Sequence, residues 1–422
     1  MPLPLVRFAA LLIACATVLP VAGSEFILSY WCGPPDGPDV DARYAEVAEC
    51  GFNYAMIPCA GNSPENTRSI LNTCGRHGLK YILYDARVMA RVAQDSGFAT
   101  NLDAVISDYA KHPGMGGYFL GDEPGSGAFP ALGAVNQYLL QHDSKHLPFI
   151  NLLPNYAPLW ALGTSNYEEH VEKYLDIVKP RLLSFDHYAL LNNDTVRPEY
   201  FDNLEVIRRQ GLKHQVPFGE IFLVTPHGSY RDPGEAELRW QANTGLAYGA
   251  TALMYFTYWT PDDNSADFHN AMIDKHGNRL PHYAMVKALN VELLVLGKAM
   301  AKMTSTGVYH TGPVPTGCKG VETNSPIQVV KGGPLVIGLF RCQDGSRWAI
   351  VVNRDVHHAT EVSLDMDRKI AGLQRLDAKT GKLSAIKMRS HRVEFPLPAG
   401  GTSLMKLESV RRLVSPKGAG FE

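Results

Sequence analysis

Eight short apolar segments, each followed by a segment with helical periodicity, constrain the fold of this 422-residue chain more than any other feature. Because the apolar segments alternate with helices, they predict parallel βαβ units rather than hairpins. The predicted strands are 26–31, 52–58, 79–84, 116–120, 148–153, 181–185, 216–224 and 251–258. The predicted helices are 42–50, 65–77, 102–111, 128–141, 167–178, 199–210, one that begins at Asp232-Pro233, and 282–303.

The turn after the first predicted strand decides between an open doubly wound sheet and a closed barrel. An open sheet that binds a dinucleotide carries a glycine-rich turn at this point. Here the chain has Trp31-Cys32-Gly33-Pro34-Pro35, which offers no run of free amides for a phosphate. Eight consecutive units therefore predict a (β/α)8 TIM barrel, an α/β fold that we expect at residues 24–306.

Alternating strands without intervening helices follow the predicted barrel. Asp344-Gly345 and Thr380-Gly381 are hairpin-turn sequences in this part of the chain. The pattern predicts a small all-β domain, an antiparallel sandwich at residues 307–410, followed by a tail at residues 411–422. The strands predicted within it are 335–340, 348–353, 360–364 and 373–376.

The first residues have the pattern of a secretory signal peptide. Arg7 precedes an uncharged, mostly apolar run at 8–19, and Val21-Ala22-Gly23 has the small side chains of a cleavage site. The run is shorter than the ~20 apolar residues that span a bilayer. We expect residues 1–23 to be removed and the protein to be secreted or periplasmic, with lipid anchoring through Cys15 as the less favoured alternative.

The cysteines add a second indication of export. Seven are present, and six remain when Cys15 is removed with the signal (7 − 1 = 6). An even number in an exported protein favours disulfides, with buried free thiols as the alternative. No two of the six have the CxxC spacing of a zinc site, and we predict no metal and no other cofactor.

The charge balance and composition exclude some partners. Lys and Arg total 40 against 42 for Asp and Glu, so the net charge of -2 lacks the basic excess of a general nucleic-acid binder. A hydrophobic fraction of 45% is enough for a large core. No segment after the signal is long enough for stable membrane insertion, and the sequence leaves the oligomeric state open.

Polar and aromatic side chains cluster where the predicted barrel strands end, the place where enzymes of this fold carry their active sites. Sugar rings stack on aromatic faces, and their hydroxyls need polar partners. The mixture therefore predicts a carbohydrate site, although Asp85 has the alternative of a salt bridge to Arg87 and each aromatic residue that of core packing. The candidate binding residues are Asp122, Trp31, Asp85, Asn155, His187, Tyr188, Tyr258 and Trp259.

Glu123 is the strongest candidate for a catalytic acid. It emerges from the apolar strand 116–120, and Pro124 fixes the turn that follows. Cleavage of a glycosidic bond needs two carboxyl groups, one of which must be protonated near neutral pH. The alternative for Glu123 is a carboxylate that caps the next helix.

The segment Gly121-Asp122-Glu123-Pro124 resembles the Asn-Glu-Pro motif of clan A glycoside hydrolases. In that clan the glutamate after the fourth strand is the acid/base, and a glutamate on the seventh strand is the nucleophile. The resemblance covers residues 26–305 and implies a retaining glycosidase that acts on poly- or oligosaccharides. Asp122 stands where the clan has an asparagine that holds the sugar's 2-hydroxyl, and an aspartate can still accept a hydrogen bond from a hydroxyl.

The identity of the second carboxylate stays open. The resemblance points to Glu220, the glutamate of the seventh predicted strand, although the four apolar residues after it indicate a deep position. Asp186, at the end of the sixth strand, is the competitor, either as nucleophile or as the base of an inverting enzyme, with His187 and Tyr188 beside it to orient it or to bind a hydroxyl. A non-catalytic carbohydrate-binding protein on a degenerate barrel is the alternative to an enzyme.

Overall fold

The computed structural model describes residues 25–409 except 60, 62, 90–92, 94–96, 264 and 265. The predicted signal peptide at 1–23, with Cys15, and the predicted tail at 411–422 lie outside the described residues. Within the described part, no helix combines the length and the apolar composition needed to cross a membrane.

Eight parallel strands form the barrel that the sequence predicts, with helices around them. The strands are β1 (Ile27–Tyr30), β2 (Tyr54–Ala55), β3 (Lys80–Leu83), β4 (Met115–Asp122), β5 (Leu147–Leu152), β6 (Leu183–Asp186), β7 (Phe218–Leu223) and β8 (Ala252–Phe256). The helices are α1 (Val40–Glu49), α2 (Pro64–Arg76), α3 (Phe98–Tyr109), α4 (Phe129–His142), α5 (Leu159–Leu162), α6 (Tyr167–Val178), α7 (Tyr200–His214), α8 (Glu235–Tyr248) and α9 (Pro281–Met300). From β2 to β8 each strand pairs with the next, and β8 pairs with β1.

The barrel closes between β1 and β2, where one amide side chain takes the place of a regular ladder. The Oδ1 of Asn53 accepts a hydrogen bond from the backbone N–H of Leu28 at 2.7 Å, and its Nδ2 donates to the carbonyl of Phe26 at 2.7 Å. The backbone N–H of Asn53 donates to the carbonyl of Leu28 at 3.2 Å. Closure at this seam therefore rests on the side chain of Asn53 together with a backbone bridge between Gly33 and Pro58, because β2 is only two residues long.

A disulfide between Cys32 and Cys59 spans the same seam, because Cys32 follows β1 and Cys59 follows β2. The prediction of disulfides is confirmed for this pair. The alternative of free thiols holds for the other described cysteines, which are Cys50, Cys74, Cys318 and Cys342.

The predicted all-β region is confirmed as two antiparallel sheets after the barrel. Its strands are β9 (Met303–His310), β10 (Ile327–Lys331), β11 (Leu335–Cys342), β12 (Arg347–Asn353), β13 (Thr360–Met366), β14 (Ile370–Leu376), β15 (Leu383–Ile386), β16 (Arg392–Leu397) and β17 (Thr402–Ser409). One sheet has the order β10-β13-β16, and the other has the order β15-β14-β17-β12-β11-β9. Gly345 and Gly381, in the two predicted turns, have φ of 81° and 69°, which glycine adopts at little cost.

The all-β domain packs directly on helix α8 of the barrel. A Cβ at Gly338 of β11 would collide with the backbone carbonyl of Ala247, so the strand and the helix approach as closely as backbones can. Beside this contact the hydroxyl of Tyr248 lies 2.8 Å from Nε2 of His310. The domain is therefore seated on the helical wall of the barrel.

We expect Asn53→Ala to lower the free energy of unfolding by about 1–3 kcal/mol, because it removes two hydrogen bonds and leaves backbone groups of β1 unpaired. Urea denaturation measures the change. The exposed Asn324 is the control, and its replacement by alanine should change stability by less than about 0.5 kcal/mol. Equal effects of the two substitutions would contradict this role for Asn53.

Candidate active site

Three carboxyl groups meet at the C-terminal ends of β4 and β6. Asp122 is the last residue of β4, Glu123 follows it, and Asp186 is the last residue of β6. The side chains of Glu123 and Asp186 are in hydrogen-bonding contact. Asp122 lies close enough for its charge to act on Asp186. The structure thus brings together three of the residues that the sequence predicts for the site, and we call them the carboxyl cluster.

Asn151 of β5 holds the carboxyl cluster together. Because β5 lies between β4 and β6 in the sheet, its side chain reaches both neighbours. The Nδ2 of Asn151 donates to Oδ1 of Asp122 at 3.2 Å and to Oδ1 of Asp186 at 3.0 Å. Its Oδ1 accepts from the hydroxyl of Ser184 at 3.2 Å, and its backbone carbonyl accepts from the N–H of Glu123 at 2.8 Å. One residue therefore fixes the carboxyl cluster through both its side chain and its backbone.

The backbone of Glu123 allows two consecutive side chains to reach the same place. Successive side chains of a strand point to opposite faces, yet Asp122 and Glu123 both join the carboxyl cluster. The φ of Glu123 is 45°, in the left-handed region that residues with a long side chain seldom adopt. Such a conformation costs on the order of 1–3 kcal/mol and is concentrated at functional sites. This strained backbone turns the side chain of Glu123 toward Asp186.

The surroundings favour the protonated forms of all three carboxyl groups. Asp122 and Glu123 are open to solvent at the mouth of the barrel, while protein encloses their other sides. Burial raises the pKa of Glu123, and the hydrogen bond with Asp186 acts in the opposite direction. Burial and the charge of Glu123 raise the pKa of Asp122 to about 6. Burial, followed by the charges of Glu123 and Asp122, raises the pKa of Asp186 well above its usual value.

Adjacent like charges couple the titrations of Glu123 and Asp186. Loss of the last proton from the pair would place two negative charges in contact, one of them on the buried Asp186. The pair therefore keeps its last proton to a higher pH than a lone carboxyl group would, and it titrates as a unit. A proton held in this way is available to a reacting group.

Half-buried aromatic rings lie beside the carboxyl cluster. Burial and the charge of Asp186 raise the pKa of Tyr188, two residues further on. The ring centroid of Tyr188 is 4.9 Å from that of Phe256, 5.4 Å from that of Tyr230 and 5.5 Å from that of His227. These four rings, which we call the aromatic wall, offer an apolar surface of the kind on which sugar rings stack.

Glu220 faces away from the carboxyl cluster. In the parallel register Asp186 pairs with Ile221, and Glu220 pairs with Phe185, so Glu220 and Asp186 lie on opposite faces of the sheet. Its Oε1 accepts a hydrogen bond from the hydroxyl of Tyr200 of α7 at 2.8 Å. Its Oε2 lies so close to Gly245 of α8 that a Cβ there would collide with it. The fully buried carboxyl thus points into the helix layer, and its position gives no support to a nucleophilic role.

Three predicted binding residues also lie away from the carboxyl cluster. His187 is fully buried among aromatic side chains behind β6. Tyr258 is fully buried, with its ring centroid 4.8 Å from that of Tyr30, and it belongs to the core. Asn155 fastens its loop to the start of α7, because its Nδ2 donates to the carbonyl of Glu199 at 3.1 Å. Packing accounts for the first two positions, and the loop anchor accounts for the third.

The remaining predicted residues lie at strand ends on the same side of the barrel as the carboxyl cluster. Asp85 follows β3 and forms the salt bridge with Arg87 at 2.7 Å that was the alternative to sugar binding. Trp31 and Trp259 follow β1 and β8 and are partly exposed, as a stacking surface requires.

Sequence reasoning missed two residues that contact or face the carboxyl cluster. Asn151 carried a signal, because it is a polar side chain inside the otherwise apolar strand 148–153. Tyr156 carried none beyond its place after that strand. Burial and the nearby charge of Asp186 raise the pKa of Tyr156, and the guanidinium of Arg197 lies 4.0 Å from the centroid of its ring.

Clustered carboxylates can also be metal ligands. Across the residues that the structure describes, no group of three or more His, Cys, Asp or Glu side chains is arranged to hold a metal ion. The carboxyl cluster has its partners in Asn151 and in its own members.

We expect Glu220→Gln to raise stability relative to the native chain as the pH increases. Burial raises the pKa of Glu220 from 4.5 to about 8, so the folded state binds a proton that the unfolded state releases. The stability that Glu220 contributes is complete below the unfolded pKa and is lost as the pH rises through 8, with a slope of at most about 1.4 kcal/mol per pH unit.

Urea denaturation at pH 5, 7 and 9 tests this expectation. Glutamine has no proton to lose, so the difference in stability between variant and native chain should grow in favour of the variant. The exposed Glu361, replaced by glutamine, is the control and should show no such trend. A constant difference for Glu220→Gln across the three pH values would contradict the buried, protonated carboxyl.

The chain resembles known proteins in its structure, whereas its sequence matches none of them. No family model matches it, and a search of curated proteins gives no match. A family 5 glycoside hydrolase from Bacteroides vulgatus ATCC 8482 superposes with a TM-score of 0.57 at 13% identity, over 91% of this chain and 89% of that one. A β-galactosidase from Bacillus circulans sp. alkalophilus superposes with a TM-score of 0.59 at 10% identity, over 91% and 99% of the two chains.

A catalytic mutant of a family 42 β-galactosidase from G. stearothermophilus gives a TM-score of 0.57 at 9% identity, over 91% of this chain and 98% of that one. Identities this low establish the fold and leave the chemistry to be argued from the residues. The resemblance to the clan A barrel is therefore confirmed at the level of the fold: this chain has the (β/α)8 architecture of these glycoside hydrolases.

Proposed function

We propose that this chain is a glycoside hydrolase whose general acid is Glu123. The observation that carries the proposal is the contact between Glu123 and Asp186 at the mouth of the barrel. A carboxyl group that keeps its proton near neutral pH is the group that protonates the oxygen of a leaving sugar. The fold shared with glycoside hydrolases and the aromatic wall beside the carboxyl cluster support the same assignment.

We assign Asp186 a positioning role, in which it holds the carboxyl group of Glu123. Two carboxyl groups in hydrogen-bonding contact are closer than the ~5–5.5 Å of retaining pairs and the ~6.5–9.5 Å of inverting pairs. Asp186 therefore holds the shared proton on the pair and fixes the carboxyl of Glu123.

We assign to Asp122 the role of stabilising the positive charge that develops on the reacting sugar. It is open to solvent, and Asn151 fixes its Oδ1. With a pKa of about 6 it is mostly ionised at pH 7. A preorganised carboxylate next to an oxocarbenium-like transition state stabilises that state electrostatically. Trp31 and Trp259, with the aromatic wall, supply apolar faces for the sugar ring.

We further propose that the substrate is a poly- or oligosaccharide and that the protein works outside the cytoplasm. The disulfide between Cys32 and Cys59 supports an oxidising compartment, where such bonds persist. The predicted signal peptide at 1–23 points to the same compartment.

A carbohydrate-binding protein without catalytic activity is the second candidate. One observation favours it: Glu220 faces the helices, and β7 continues into Val224-Thr225-Pro226, which carries no carboxylate. The pair of glutamates that the clan A resemblance implies is therefore not assembled. Such a protein would bind sugars equally well with glutamine at position 123.

We expect Glu123→Gln to lower kcat by about 10²–10⁴-fold, the usual contribution of a general acid, while the melting temperature stays unchanged. Initial rates on a panel of α- and β-linked aryl glycosides and oligosaccharides measure the loss. Glu199→Gln, at an exposed position before α7, is the control and should keep full activity. Native turnover in Glu123→Gln would rule out the general acid assignment and favour the binding protein.

We expect Asp186→Asn to move the alkaline limb of the kcat/KM profile to lower pH. In the native pair, loss of the last proton would leave two like charges facing each other, so the pair keeps that proton to higher pH. An asparagine removes one of these charges and can donate a hydrogen bond to ionised Glu123, which lowers the pKa of Glu123. An alkaline limb that stays in place or moves upward in a folded variant would contradict the shared proton.

A further inference from the structure

The short helix α5 presents two apolar side chains to solvent. Trp160 is 85% exposed and Leu159 is 57% exposed, whereas Trp240 and Trp348 are buried at 1% and 8%. Single exposed apolar residues are common on protein surfaces. Here a tryptophan and a leucine in succession are both open to water, and the described structure provides no cover for either.

The exposure of Trp160 is not the result of a loose segment. Leu162 of the same helix is buried, and its carbonyl accepts a hydrogen bond from Nδ1 of His170, at 3.0 Å. The next carbonyl, of Gly163, accepts from the hydroxyl of Ser126 at 2.7 Å. Helix α5 is therefore fixed on one side by buried contacts and hydrogen bonds, and it holds Trp160 on the other side.

These anchors connect α5 to the turn that carries Glu123. Ser126 is three residues after Glu123, and a Cβ at Gly125 would lie 2.6 Å from the carbonyl oxygen of Ala161. Tyr156, whose pKa is raised by the nearby charge of Asp186, precedes Trp160 by four residues. Four residues of extended chain span at most about 14 Å. Trp160 therefore lies on the rim of the mouth, on the side of Glu123.

We propose that Trp160 and Leu159 form a stacking platform for the leaving-group side of an extended carbohydrate chain. A general acid protonates the oxygen of the leaving group, so the part of the substrate nearest Glu123 is the part that leaves. This inference rests on the proposed function and specifies its substrate as a chain long enough to continue from the carboxyl cluster to the rim. A sugar ring matches a surface of two side chains, whereas a standard protein interface buries about 1,200–2,000 Å² in total.

The first test compares Trp160→Ala, Trp160→Phe and Leu159→Ala on substrates of increasing length. For Trp160→Ala we expect KM on long oligosaccharides to rise about tenfold, with kcat and the activity on an aryl monoglycoside unchanged. Trp160→Phe keeps an aromatic face and should restore most of the lost affinity. Leu159→Ala removes the smaller part of the platform and keeps the ring, so its effect should be smaller. Leu383→Ala, at an exposed leucine of β15, is the matched control and should leave KM unchanged. Equal KM values for Trp160→Ala and the native enzyme at every chain length would overturn the inference.

The second test does not depend on turnover. Electrophoresis through gels that contain β-glucan, xylan, galactan or galactomannan measures polysaccharide binding by Glu123→Gln with and without Trp160→Ala. We expect at least one polymer to retard the single variant and the added Trp160→Ala to abolish most of the retardation. If retardation depends on Trp160 and the native protein hydrolyses none of the substrates, the platform is supported and the proposed hydrolase activity is contradicted. Failure of every polymer to retard Glu123→Gln would overturn the platform whatever the activity.

Discussion

The contact between Glu123 and Asp186 is the interaction on which the rest of the site depends. Two carboxyl groups in contact, one of them buried, remain together only when at least one of them is protonated, and that proton is what an acid catalyst needs. Asn151 makes the contact possible by tying Asp186 and Asp122 to one amide across three neighbouring strands. The chemistry that we propose therefore follows from one bridging side chain and one shared proton.

The barrel supplies the rigid frame for this contact. Parallel strands bring their C-terminal ends to one edge, so residues far apart in the chain, such as Glu123 and Asp186, become neighbours. The left-handed backbone of Glu123 then adds what regular strand geometry cannot, because it turns a second consecutive carboxyl toward the same point. On the opposite side of the barrel, Asn53 and the disulfide between Cys32 and Cys59 close the seam between β1 and β2.

The sequence was sufficient for the fold and for part of the site. Alternating strands and helices predict the barrel, and an acidic pair after an apolar strand points to Glu123. The side of the sheet that a strand residue faces was harder to predict, because a shift of one residue in the register reverses it. Glu220 lies on β7 and Tyr258 follows β8, yet the first faces the helix layer and the second packs in the core. The contact of Glu123 with Asp186 also needs the left-handed φ of Glu123, and no residue pattern in the strand predicts that conformation.

Titration of the carboxyl groups by carbon-13 NMR tests the central claim most directly. The side-chain signals of Glu123 and Asp186 are assigned by comparison with Glu123→Gln and Asp186→Asn. The account predicts that both signals change together in two steps, with the later step far above the ordinary value of 4.5 for a glutamate. Two independent single steps, each near the ordinary value of its residue, would contradict it.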